Sequence, residues 1–493
     1  MNPVKVTFAA IFTLFATFAA VITAPSAQAW TDPEIAISVL QGTGYGSGSG
    51  VAIDSNGNIL TTGLFTGTVD FNPGAGTATL SAVGEDIYIS KLDPDGNFLW
   101  AKSISGPSDE SIESIELDDN DNIYMTGFFG GTVDFDPGEG VTNLVSRGYS
   151  DAFFLKLDSS GGYLWAKSVG ASYSDTYGYD IAVDSSGNVY AVGTFQDTVN
   201  FNPSGRAVNL SPGSGESTFV LKFDSSGNYV LARKFSGNSF AVATSIALDL
   251  DGNFLITGFF GGTADFDPGD GTANLNCSGL SDNFIAKYNG LGNYIWAKRI
   301  GGSGNDSSEI SISIDASGHI FISGTFFGAN FSPGEGATTL NSAGSGDIFI
   351  SEYDSTGTYL WAKRIGGTGF DYASSAVLDG NKNILITGFF SGTVDFNPGA
   401  GTANLVSAGN YEIFIAKYDP TGDHFGLDNL VELEMMSQVS WQLMLAEMLS
   451  SLDILWIRLT LIQAQVLQIS SVRAQKMLLF SESLLPEKQV QHH

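Results

Sequence analysis

The chain is poor in most of the side chains that do chemistry. Cys277 is the one cysteine among 493 residues, so no intrachain disulfide can form. There are four histidines, and His424, His492 and His493 lie at or beyond the point where the repeat described below breaks off. The remaining His319 cannot by itself build a Ser-His-Asp triad or a zinc site, and Cys277 has no identifiable base. His319 stands where other copies carry a turn Asn ("DASGH"), which makes it a solvated turn residue. Basic residues are scarce, 21 against 52 acidic ones, for a formal net charge of −31. Such a field repels phosphate backbones and anionic lipid, which excludes nucleic acid as a partner. Long apolar runs are nearly absent before residue 425. One of them, Phe8 to Ile22, follows Lys5 and leads to Ala27-Gln28-Ala29 before Trp30. That is a signal peptide over residues 1–29, too short and wrongly flanked for a membrane span. Export to the cell surface or beyond is therefore expected, and the acidity then keeps an exported protein soluble.

Glycine and aromatics are plentiful: 61 Gly, and 12% Phe, Trp and Tyr. "FFGGTVDFDPGEGVTNL" at Phe128 returns as "FFGGTADFDPGDGTANL" at Phe259. The second residue of the "TVDF" phrase falls at Val69, Val133, Val199, Ala264, Ala329 and Val394, at intervals of 64, 66, 65, 65 and 65 residues. A fixed period of this kind marks a repeat architecture. The third copy reads "DIAVD", "VYAVGTF", "TFVLKFD" and "YVLARKFSG", four strand-like runs. Short Asp/Gly/Asn turns such as "DSNGN" at Asp54, "DPDGN" at Asp93 and "DLDGN" at Asp249 reverse the chain between them. One small antiparallel sheet cannot bury both faces, but sheets stacked around an axis cover one another. The expected fold is all-β: a β-propeller of four-stranded antiparallel blades over residues 30–424, six in-frame copies plus a frame-shifted seventh. Trp100, Trp165, Trp296 and Trp361 recur at one blade position, with Leu231 in one copy, and are expected to pack between blades.

"DSSGNVYAVGTF", "VDFDPG" and "DSSGGYLWAKSVG" resemble the bacterial seven-bladed β-propeller repeats of the SBBP type, found in exported and cell-surface proteins. The resemblance covers about residues 30 to 424. It implies the fold, but no single activity and no catalytic residue.

A seventh phrase is due at 394 + 65 = 459, where the chain reads "IRLTLIQAQVLQ". No glycine occurs from Leu427 onward. Shifting the reading frame of Leu430 to Ser437 by one nucleotide permits "GGTGDDV", which matches "GGTGFDY" at Gly366 in the expected phase. The same shift over Met444 to Gln468 permits "DAGGNVIITGYFVDTVDFDPGAGTA". Residues 425–493 are thus read as an aberrant tail, a seventh blade out of frame after a single-nucleotide loss near "DHF". A membrane helix there would carry Glu447, Asp453 and Arg458 in the bilayer core, at heavy cost. Two further expectations concern strand order. Glu34 to Leu40 is an orphan last strand, and the sixth copy lacks a fourth strand of its own, so the orphan could close six blades or complete a seventh.

Calcium is the one metal worth weighing, since Asp134 and Asp136, and Asp265, Asp267 and Asp270, set hard oxygen donors at alternating spacing. The same places elsewhere carry Asp70/Asn72, Asn200/Asn202, Asn330/Ser332 and Asp395/Asn397, and a Pro-Gly turn explains the phrase without metal. No other cofactor is expected. The functional reading is an exported, monomeric, non-catalytic scaffold binding a protein or glycan. The alternatives are a polysaccharide-acting propeller hydrolase or lyase, and a non-functional frame-shifted remnant. An enzyme would need a blade-specific cluster of Asp, Glu, Arg or Tyr, first sought in the least regular second and third copies ("SDESIESIELDDND", "GASYSDTYGYD").

Overall fold

The computed structural model describes residues 41–428, apart from 43–45, 109, 214–215, 305, 307–309, 329–331, 333–335, 337–338 and 408–410. The signal peptide, the orphan strand and the tail beyond 428 lie outside the described residues. Within them every regular element is a strand. The second repeat forms Glu110–Leu117, Ile123–Phe129, Asp151–Leu157 and Tyr163–Val169, paired antiparallel in chain order. The third repeats the plan with Thr176–Val183, Val189–Phe195, Ser217–Phe223 and Tyr229–Gly237. Among the described residues all six repeats do so, each giving four antiparallel strands in the arrangement of a β-propeller repeat.

The core lies between blades rather than within them. Ala52 and Leu60 of the first blade pack with Ile112, Ile123 and Phe153 of the second. Tyr124 and Phe154 of the second pack with Phe195 and Phe219 of the third, and the pattern continues to the sixth. Because a neighbour covers each face, the two middle strands of a blade are buried along nearly their whole length. They therefore read as continuous apolar runs instead of alternating ones. The first strands of successive blades pack side by side in chain order, forming the inner face.

Turn chemistry holds the hairpins. In "DSNGN", Asp54 Oδ1 accepts the N–H groups of Asn56 and Asn58, each at 2.9 Å, and Gly57 takes φ of +80°. A third-strand lysine closes on the same acid: Lys91 on Asp54, Lys287 on Asp249 and Lys417 on Asp379, each at 2.8 Å. Trp165 is 7% exposed and lies against Gly227 of the next blade, where an added methyl would come within 2.8 Å of the indole. Trp100, Trp296 and Trp361 meet Gly161, Gly357 and Gly422 in the same way, so the recurrent indole packs between blades.

Two features bear on the chain ends. Gln41 and Gly42 pair with Asp70 and Val69. That is the register in which Gly366 and Gly367, at the end of the fifth blade's fourth strand, pair with Asp395 and Val394 of the sixth. The expectation that the sixth repeat lacks a fourth strand is corrected. His424–Asp428 takes that place, with His424 opposite Tyr418 as Tyr359 is opposite Tyr353. Pairing uses main-chain N–H and C=O groups, so residues unlike the repeat can still form the strand.

Candidate binding site on the inner face of the second and third blades

The inner strands are the place where a propeller can depart from its repeat without losing its core. The residue four before each first turn Asp is Gly50, Ser114, Asp180, Ser245, Ser311 and Ser375 in the six blades. The residue two before it is Ala52, Glu116, Ala182, Ala247, Ser313 and Val377. The described inner strands contain no Lys, Arg or His. Asp180 and Glu116 thus sit on neighbouring strands with no fixed cation on either.

Asp180 spans three blades. Its Oδ1 accepts Ser114 Oγ of the second blade at 2.7 Å and its own chain's Ile181 N–H at 2.8 Å. Oδ2 accepts Ser245 Oγ at 3.0 Å and Ile246 N–H at 2.8 Å from the fourth. Ser311 does part of this work between the fifth and sixth blades, accepting Ala376 N–H and donating to Ala376 C=O, both at 3.1 Å. Burial raises the Asp180 carboxyl despite these donors. Glu116 is open to solvent at its surface but enclosed by protein around the inner face. That enclosure, with the charge of Asp180, pushes it up to about 8.

A carboxyl raised in this way binds its proton more tightly in the folded protein than in the unfolded chain, where the usual value is 4.5. Stability present at acid pH should fall as pH rises from there through about 8. Glu116→Gln should flatten this slope and raise the melting temperature at pH 8 relative to the parent; melting curves from pH 5 to 9 measure it.

Aromatic rings flank the acids. Tyr177 meets Phe128 edge-on at 4.6 Å and stacks with Tyr179 at 6.3 Å. Tyr179 is raised by burial, with Glu216 and Glu113 adding charge, so acids of two blades surround one phenol. Tyr372, at the matching position in the sixth blade, joins Phe370 and Phe389 in a second stack, with Tyr411 edge-on at 5.3 Å to Phe389. Both groups are only partly buried.

The sequence-derived calcium candidates lie elsewhere, on the hairpin between second and third strands. Asp134 Oδ1 accepts the N–H groups of Asp136 (3.1 Å) and Thr142 (2.7 Å), and Asp265 Oδ1 those of Asp267 (3.0 Å) and Ala273 (2.8 Å). Asp136 and Asp267 in turn accept Gly138 and Gly269 N–H, both at 2.8 Å, while Asp270 is exposed. Asn200 holds its own loop identically, at 3.1 and 2.9 Å, which explains why Asp and Asn alternate there. Among the described residues no three His, Cys, Asp or Glu side chains gather as a metal site. His319 occupies its turn, with N–H on Asp315 Oδ1 at 2.9 Å, and its ring Nδ1 lies 2.6 Å from Glu352, which replaces the third-strand lysine of other blades.

Residues 164–194, which run from the last strand of the second blade through the first two of the third, match the SBBP β-propeller repeat. That stretch therefore supports an SBBP-type repeat in this chain. An uncharacterized WD repeat-containing protein, L264, of Acanthamoeba polyphaga mimivirus is 28% identical over 406 residues, 67% of this chain and 29% of that one. Regulatory protein FlaEY of Caulobacter vibrioides is 24% identical over 183 residues, 36% of this chain and 19% of that one. The chain thus spans less than a third of either relative. A crystal structure of a Dyadobacter fermentans protein of unknown function aligns with a TM-score of 0.38 at 12% identity, covering 78% of this chain and 97% of that one. No helix of the described residues is long and apolar enough to cross a membrane.

Proposed function

We propose that this protein is an exported, non-catalytic propeller scaffold that binds a protein or glycan through the inner face of its second and third blades. One observation carries this reading. Positions that are Ser, Ala or Gly in most blades become Glu116 and Asp180 here, beside the Tyr177 and Tyr179 rings. Packing alone would not require such departures. Partly buried rings with adjacent carboxylates suit a ligand that offers both a flat apolar face and hydrogen-bond donors. The likeness to a WD repeat-containing protein supports protein binding as one form of this role. Glycan-array binding of the secreted protein tests it. Tyr177→Ala with Tyr179→Phe should weaken any retained ligand about tenfold, the scale of one lost stacking contact or hydrogen bond. Unchanged binding by that variant would move the site away from these blades.

The Glu116–Asp180 pair favours a second reading, acid–base cleavage of a polysaccharide. Two coupled carboxylates, one protonated near neutral pH, are what such chemistry uses. Release of reducing ends or unsaturated products, abolished in Glu116→Gln, would establish it over the scaffold reading.

The intended protein, on this proposal, has seven blades and is monomeric. The register of Gln41 and Gly42 supports a preceding fourth strand at Glu34 to Leu40. The sixth blade already has its fourth strand, so the orphan belongs to a further blade between the sixth and the first. The out-of-frame residues beyond 428 would supply its other strands once the frame is restored. Resequencing codons 420 to 430 decides this: an unambiguous in-frame read, with tail peptides in a mass spectrum, would remove the seventh blade.

A further inference from the structure

A second departure from the repeat lies in a hairpin turn, away from the inner face. Asn289 opens the turn between the third and fourth strands of the fourth blade, with Gly292 N–H on its C=O at 2.8 Å. The five other blades carry Asp93, Asp158, Asp224, Asp354 and Asp419 at this place, and all six first hairpins also begin with Asp. Asn289 Oδ1 keeps the usual bonds, accepting the N–H groups of Leu291 and Asn293, each at 3.0 Å. A carboxamide lacks the second acceptor oxygen of a carboxylate. Asn97 and Asn228 donate Nδ2 to Oδ2 of Asp93 and Asp224, both at 2.9 Å. Asn293, at the matching place, finds an NH₂ group there and bonds Asn289 only through its main-chain N–H.

Cations of the third blade close on the same turn. Arg233 donates Nη2 to Leu291 C=O at 2.9 Å and Nε to Gly292 C=O at 3.4 Å. Lys222 donates Nζ to Gly290 C=O at 3.5 Å. Neither makes an ion pair among the described residues. At other blade junctions the residue matching Arg233 faces an acid: Lys102, Lys167 and Lys363 lie in electrostatic reach of Asp158, Asp224 and Asp419. A carboxylate at position 289 would gain both the missing hydrogen bond and the counter-charge.

We propose that Asn289 is a modification site, where the folded turn converts asparagine to aspartate. Gly290 follows it, so no side chain shields the attacking nitrogen. Gly290 N bonds to Asn289 Cγ, the Cγ–Nδ2 bond breaks, and ammonia leaves with the Gly290 amide proton. Water then adds to Cγ of the resulting succinimide. Its hydroxyl stays on Cγ, and its other proton returns to Gly290 N as the Cγ–N bond breaks. The net change is one water consumed and one ammonia released. The Leu291 and Asn293 N–H groups hold the oxygen on which negative charge develops in both steps. They therefore direct water to Cγ rather than to the main-chain carbonyl, which gives aspartate over isoaspartate. Asn289 and Gly290 are only partly buried, and an open cleft lined by Arg233, Asp267 and Asn293 brings water to the turn. This site is independent of the inner-face ligand.

The test ages the full chain in mildly alkaline buffer and weighs its peptides over time, with synthetic aspartyl and isoaspartyl peptides as chromatographic standards. The peptide holding residue 289 should gain the mass of an amide-to-acid exchange, mainly as aspartate. Asn56-Gly57 is a second Asn-Gly pair, but its Oδ1 accepts no N–H among the described residues, so it should give chiefly isoaspartate. Gly290→Ser installs the residue found at Ser159, Ser225 and Ser355, and should slow conversion about tenfold or more by shielding the nitrogen. Asn289→Asp should melt above the parent, and that gain should shrink when Arg233→Gln is added. An Asn289 that keeps its amide, or the same product ratio at Asn56 and Asn289, would overturn the proposal. So would an Asn289→Asp variant that melts no higher than the parent.

Discussion

Phe266→Ala should lower the unfolding free energy by about 3–5 kcal/mol, the usual cost of emptying a buried phenyl site. Phe266 is fully buried, edge-on to Phe260 at 5.7 Å and tilted on Phe284 at 4.6 Å. Its backbone is fixed as well: its N–H donates to Ala273 C=O at 3.1 Å, and Tyr288 Oη donates to its C=O at 2.9 Å. With its frame held on both sides, the loop cannot collapse into the space, so the loss should reach the upper part of that range. The same phenyl stands at Phe71, Phe135, Phe201 and Phe396, each fully buried against a phenylalanine of its own blade. Phe259→Ala, one residue before Phe260 but only half-buried, serves as the control and should cost much less. Urea unfolding followed by tryptophan fluorescence compares the two. A Phe266→Ala loss under about 1 kcal/mol would mean that this ring is not part of a close-packed interior.

Asp180→Ala should cost about 2–4 kcal/mol, because four donors lose their acceptor at once and each buried unsatisfied group costs about 1–3 kcal/mol. Two of those donors are hydroxyls that can turn to other partners, whereas the Ile181 and Ile246 N–H groups are fixed by their strands. Asp180→Ser separates tying from ligand binding. Four other blades carry Ser at this place, and Ser311 bonds both N–H and C=O of Ala376. The serine variant should regain roughly half of the alanine loss, since it restores about one of the two cross-blade contacts. Both variants should abolish any ligand binding that depends on the carboxylate. Chemical denaturation beside the binding assay distinguishes these effects, and equal destabilisation by Ala and Ser would refute the tie.

Much of this was legible in the residues. Period, strand number and hairpin turns follow from "TVDF" spacing and from "DSNGN"-type turns, because both depend on local backbone chemistry. The irregular second and third copies did point to the inner-face cluster, but only the folded chain brings Ser114, Asp180 and Ser245 together. Their separation in sequence is one whole repeat each, and no local pattern announces it. The fourth strand of the sixth blade was missed for the opposite reason. The recurring Trp that marks this strand in other copies is absent here, yet a strand edge accepts "HFGLD" on main-chain bonds alone. A further readable signal lies at His319. The third-strand residue is Lys in five copies and Glu352 in the fifth, and the turn Asn becomes His in that same copy.

That exchange leaves Asp315 without the lysine its relatives find within their own repeat. Its cation comes instead from Lys382 of the sixth blade, at 2.8 Å, projecting from a turn position with φ of +65° where four other repeats use glycine and the second uses Asp121. Repeats five and six are consequently not interchangeable cassettes. Gene-level shuffling, duplication or excision that parts them would strand an interior carboxylate, so this pair should be inherited as one recombination unit.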